Sequence, residues 1–121
     1  MKSSGAWLVS EGRVLASAEI AADSNSRRRG LIGRDHLDGA IIISPCRWIH
    51  TFGMKFALDI AYLDTDGFVI KTAHMQRNRL GTPVRHGHAV IEAETGAFIR
   101  WHLHVGDKIE VRHGSDETLT T

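Results

Sequence analysis

The chain has 121 residues, 42% of them hydrophobic and 24% charged, which suits one domain with a single core that buries roughly two thirds of the unfolded chain's surface. With 15 basic and 14 acidic residues the formal net charge is +1, which excludes the whole-chain field of a nucleic-acid or membrane-surface protein. The lone Cys46 excludes an internal disulfide, no stretch approaches the ~20 apolar residues of a membrane span, and the N-terminus lacks an apolar run of signal-peptide length, so a cytoplasmic location is expected.

In chain order, Trp7 to Val9 and Val14 to Ile20 read as a hairpin turning through Glu11-Gly12. Ser24 or Ser26 then caps a short helix over Ser26 to Ile32, with Leu31 and Ile32 as its apolar contacts and Gly33 as its terminator. Arg34 to Gly39 is a polar connection, and Ala40 to Ile43 suits a buried strand. From Cys46 to Asp66 the even positions carry Cys46, Trp48, His50, Phe52, Met54, Phe56, Leu58, Ile60 and Tyr62. That alternation predicts extended backbone with these side chains inward, broken into two strands or bent sharply near Gly53 to Phe56.

Leu58 to Leu63 is expected to turn through Thr65-Asp66-Gly67 into Phe68 to Thr72, by a type I turn with a glycine bulge. An unbroken register would set Tyr62 opposite Ile70 and Asp59 opposite Ala73, leaving Lys71 diagonal to Asp59 on one face as a surface ion pair. Residues 74–87 have no period and read as an exposed loop, of a length that is uncommon in compact domains unless functional. His88 to Glu94 reads as a strand, Thr95 to Val105 satisfies both helical and strand spacing, and Lys108 to Arg112 is the last strand. One β-rich domain over residues 1–113 is expected, with a polar tail over 114–121.

The segments RRRGLIGRDHL at 27–37, HTFGMKFALDIAYLDTDG at 50–67, IEAETG at 91–96 and VGDKIEV at 105–111 together resemble the domain of unknown function 192 family, in order, from about Ala18 to Val111. The resemblance implies a small, β-rich, barrel-like fold with one or two short helices, and a helical turn after the glutamate strand at Thr95 to Val105. It implies no settled activity. The family's typical positions fall on Arg27, Gly30, Leu31, Arg34, Met54, Leu58, Asp59, Glu92, Gly106 and Asp107. Many members carry tryptophan or another aromatic where this chain has His50, and the HTFGM wording implies an association with pilus-assembly genes, hence a protein partner.

Cys46, His50 and Met54 offer the soft donors of a copper(I) site, but residues four apart on a strand lie roughly 13 Å from one another, too far to share an ion. His86 and His88 have workable spacing but lack a third ligand unless Glu92, Glu94, His102 or His104 supplies one. No metal and no cofactor is therefore expected. From Lys71 to His88 the chain has four fixed cations, Lys71, Arg77, Arg79 and Arg85, and no acid. Guanidinium forks suit a small phosphate or carboxylate, whereas single-strand nucleic-acid binders interleave aromatic residues with charge, and residues 74–88 contain none.

The expected fold is α+β and mostly β, a small partly closed barrel with one or two short helices and the basic loop at its rim. The expected function is a non-catalytic binding or accessory module for a protein partner or small anionic ligand, acting through Arg27, Arg34, Asp59, Glu92, Arg77, Arg79 and Arg85. The competing reading is a small hydrolase or transferase that uses Asp59 and Glu92 with arginine support, and it requires both carboxylates in one cleft. No nucleic acid or membrane is expected as partner, and the chain is expected to be a monomer or weak dimer.

Overall fold

The computed structural model describes residues 5–21, 23, 31 and 33–113. The polar tail at 114–121, Arg27 and the predicted helix over Ser26 to Ile32, apart from Leu31, lie outside the described residues. Leu31 itself is helical and fully buried.

Among the described residues seven strands form one sheet: β1 (Ala6–Ser10), β2 (Arg13–Ala21), β3 (Ala40–Ile43), β4 (Leu58–Leu63), β5 (Val69–Met75), β6 (Ala89–Glu94) and β7 (Glu110–His113), in the spatial order β5-β4-β6-β3-β2-β1-β7. A short helix, α1 (Ala97–Trp101), follows β6. All pairings are antiparallel except β2 with β3, whose connection runs through Leu31 and Leu37. The first hairpin turns on two residues with positive φ, Glu11 at 51° and Gly12 at 80°, the backbone hand that matches strand twist.

The sheet curls until its two ends touch. Val69 donates its N–H to Asp107 O at 2.9 Å, Ile109 donates to Gly67 O at 2.9 Å, and Phe68 bridges Lys108, while no backbone bond among the described residues joins the two ends from Ile70 to Met75. The barrel is thus partly closed. One apolar layer draws on strands from both ends of the sheet and so fills the interior: Leu8, Ile42, Leu63, Val69, Ile91 and Ile109, with Phe98 and Leu103 plugging one end. Ala6, Ala18, Ala40, Ala61, Ala89 and Ala93 line the same face, and such short side chains permit tight curvature. The second layer, around Ile41, Ile43, Leu58, Ile60, Tyr62 and Val90, lies on the outer face under Leu31, Leu37, Ile49, Met54 and Val84. Strands β3, β4 and β6 are thereby covered on both sides, and their burial does not alternate.

Two expectations are corrected. The alternation from Cys46 to Phe56 does not describe a strand: only Leu58–Leu63 is regular, Trp48 and Phe52 are exposed at 40% and 46%, and it is Ile49 and Thr51 that are buried. This segment lies across the outer layer instead of within the sheet, with His50 bridging Leu80, so Ile49 and Thr51 point inward before the turn and Met54 after it. The chain does turn at Phe52 and Gly53, near the expected break. The β4–β5 register is also shifted. The glycine-bulge turn forms, with Gly67 N–H donating to Asp64 O and Asp64 N–H to Phe68 O. A second bulge then sets Leu63 opposite Val69 but Tyr62 opposite Lys71 and Asp59 opposite His74. Lys71 therefore projects on the face opposite to Asp59, and the expected ion pair between them does not form.

Candidate functional site

Asp59 is the one partly open position in an otherwise buried β4. Its Oδ2 accepts hydrogen bonds from Gly96 N–H at 2.9 Å and Phe98 N–H at 3.3 Å, and its Oδ1 lies 3.4 Å from His74 Nδ1. Gly96 sits at φ 95° to start α1, so the neighbouring strand supplies the helix with its N-terminal cap. Glu92 is fully buried, opposite Ile60 on one side and Ile41 on the other. Asp59 is opposite Ala93. The pleat thus sends the two carboxylates to opposite faces of the sheet, which ends the reading that pairs them in one cleft.

The arginines are dispersed as well. Arg34 lies 3.5 Å from Glu19 in a depression shared with Asp35, His36 and Asp38, where three acids outnumber it. Arg77 and Arg85 are exposed in the 76–88 loop, and neither lines the depressions around β5. Arg79 does line one, a hollow of about 340 Å³ formed with Tyr62, Lys71, Gln76 and Thr82. Of the six described residues among those singled out from the sequence, Asp59 and Arg79 border the two hollows that flank β5, and only Arg79 does so as a cation.

A buried threonine holds the loop in place. Thr51 donates its hydroxyl to Gln76 O at 2.7 Å and accepts the Arg79 N–H at 2.9 Å, while its backbone N–H bonds Arg79 O and its carbonyl accepts Asn78 N–H, both at 2.9 Å. Gly81 N–H reaches Ile49 O at 3.0 Å and Val84 N–H reaches Arg47 O at 3.0 Å. The basic loop is accordingly stapled to the 46–53 segment along much of its length, and Arg79 has a fixed root.

On the other face of β5 lies a larger hollow of about 590 Å³, walled by Phe98, Ile99 and Leu103 with Asp59, Thr72, His74 and His104 at its polar edge. Both hollows touch Ala73 and His74. Tyr62 closes the floor of the smaller one, and burial, followed by the charges of Cys46 and Glu92, holds its phenol above the ordinary tyrosine range. Among the described residues no group of three or more His, Cys, Asp or Glu side chains is placed to hold a metal ion, and no helix is long and apolar enough to cross a membrane.

Sequence reasoning missed His74, Tyr62 and Thr51 as site residues, and read Lys71 as a surface partner of Asp59 instead of a neighbour of Arg79. Thr51 left a trace as a polar residue on the supposedly outward face of a segment rich in apolar ones. The others meet through the β4–β5 bulge and the loop staple, which no local pattern encodes.

What these features define is a small β-rich domain with two hollows along one edge strand. The chain belongs to the domain of unknown function 192 (DUF192) family, described as an uncharacterised ACR, whose model matches residues 7–111. It is similar to a crystal structure of a protein of unknown function from Novosphingobium aromaticivorans, at 22% identity and a TM-score of 0.72, covering 87% of this chain and 82% of that one. It is also similar to a Sinorhizobium meliloti structure described as a "putative transcription regulator", at 19% identity and a TM-score of 0.72, covering 89% and 92% respectively. At these identities the likeness shows the fold. A comparison with curated proteins finds no match.

Proposed function

We propose that this chain is a non-catalytic binding module whose working surface is the outer edge of β5 with the basic loop, and that the hollow between Lys71 and Arg79 takes a small anion or the carboxylate of a protein partner. The observation that carries this is the hollow itself. It joins two fixed cations to the amide of Gln76 and the hydroxyl of Thr82, with no acid in its lining. An ammonium and a guanidinium fork beside neutral donors match an oxyanion, and a loop stapled through Thr51 loses little further freedom when it binds one.

The test is a thermal-shift and calorimetric panel of inorganic phosphate, citrate, succinate and N-acetylglutamate at millimolar concentration. Saturable stabilisation by at least one of them is expected, weakening with added salt as partly exposed charges are screened. It is expected to vanish in Lys71→Glu and Arg79→Glu and to persist in Arg34→Ala, whose arginine lies elsewhere. A flat response across the panel, or one unchanged by both reversals, would defeat the assignment.

A further inference from the structure

We infer that the open seam of the barrel accepts an extended acidic peptide as an added strand along β5, with successive side chains entering the two hollows in turn. The inference rests on the binding-module reading and names its occupant. Among the described residues β5 stands at one end of the sheet and has a strand partner, β4, on one side only. On its other side, the described backbone bonds join it to the Gly106-Asp107 turn at Val69, and from Ile70 to Met75 none is found. An edge of that kind presents a row of donors and acceptors to any extended chain that can reach it.

What turns the edge into a site is the placement of the hollows. Register puts Thr72 and His74 on the face of Ala61 and Asp59, the face of the larger hollow, and Lys71 and Met75 on the face of Tyr62 and Leu58, the face of the smaller one. A strand laid beside β5 alternates its own side chains between those two faces every ~3.3 Å. One set would meet Phe98, Ile99 and Leu103, and the other Lys71 and Arg79. The matching peptide is therefore apolar at one parity and acidic at the other.

Charge supports the same choice. The chain from Lys71 to His88 carries four fixed cations and no acid. The acid that borders the apolar hollow, Asp59, is already bound by two backbone amides and faces His74. A strand seated there would also continue the closure that Val69, Gly106 and Asp107 begin.

The probe is a blocked synthetic peptide alternating leucine and glutamate, with a control of the same sequence methylated on alternate backbone nitrogens, measured by fluorescence anisotropy and by residue-resolved hydrogen exchange. At saturation, amides within Ile70–Met75 are expected to exchange at least about tenfold more slowly. The methylated control is expected not to bind. Ile99→Asp, at a side chain 81% exposed and hence harmless to folding, and Lys71→Glu are each expected to weaken binding by about fivefold or more. Binding that leaves Ile70–Met75 unprotected, or that the methylated control reproduces, overturns strand addition. If any anion of the panel binds through Lys71 and Arg79 while the peptide does not, strand addition falls and the anion-binding module stands; if neither the peptide nor any anion of the panel binds, both fall.

Discussion

Asp59 and Glu92 lie on adjacent strands one step out of phase, Asp59 opposite Ala93 and Glu92 opposite Ile60, so their carboxylates leave the sheet in opposite directions. Each has its own setting. Asp59 fastens the start of α1 on the inner side, and Glu92 is embedded in the outer apolar layer beneath the loops. Two charged residues that look like a catalytic pair on paper are separated by the thickness of the sheet.

Replacing Asp59 by alanine removes the acceptor for two helix-start amides and is expected to cost about 1–2 kcal/mol in urea unfolding. Asp59→Asn keeps one oxygen acceptor and is expected to lose less. An alanine variant as stable as the wild type would show that the cap contributes nothing.

Thr51→Val preserves shape but deletes a fully buried hydroxyl, stranding the Gln76 carbonyl and weakening the hold on the Arg79 N–H. A loss of about 1–3 kcal/mol is expected from the unsatisfied groups. The consequence for function is separable, because anion binding by the still-folded variant is expected to weaken as Arg79 loses its fixed root. Calorimetry well below the variant's melting temperature measures it, and unaltered affinity would mean that the staple does not matter to the hollow.

Tyr62 is the chain's single tyrosine, so tyrosinate absorbance reports on it alone. Its folded pKa is raised above the ordinary 10.0, chiefly by burial. Folding therefore holds the phenolic proton more tightly than the unfolded chain does. The associated stability is complete below about pH 10 and is lost as pH rises through the folded pKa. Absorbance titration is expected to place the midpoint above 10.0, and Tyr62→Phe to remove that part of the alkaline fall in stability. A midpoint at or below the ordinary value would contradict the enclosed phenol.

Gly67 sits where the barrel's ends meet, at φ 91°, and a methyl group there would lie 2.9 Å from the Ile109 carbonyl oxygen. That oxygen is backbone and cannot swing aside. Gly67→Ala is expected to cost at least about 1 kcal/mol and to speed exchange at the Val69 and Ile109 amides. Unchanged exchange at both would show that the seam tolerates the added bulk.

Much of the architecture could be read in advance where local chemistry decides it. Glu11-Gly12 and Asp66-Gly67 mark the two hairpins, Ala40–Ile43 is apolar enough to be buried on both faces, and Ala97–Trp101 became helix as the family resemblance implied. The failures have physical causes. Cys46 to Phe56 alternates in composition, but its neighbours are the sheet's outer face and the loop, which bury Ile49 and Thr51 and leave Trp48 and Phe52 in solvent. One extra residue at the β5 bulge exchanged the faces of Lys71 and Ala73, moving Lys71 away from Asp59 and beside Arg79. The site was less legible than the fold for the same reason. Arg79 was visible as a basic loop residue, whereas its neighbours Lys71 and Tyr62 come from separate strands that only the folded chain brings to the loop.

Lys71 stands near the middle of β5, whose second flank has no strand beside it among the described residues. Were two molecules to approach flank to flank in a concentrated solution, their lysines would meet like against like, and the pairing would be discouraged before it could propagate. On the proposed reading, the side chain that would receive a negatively charged guest would thus also discourage identical copies from zipping together.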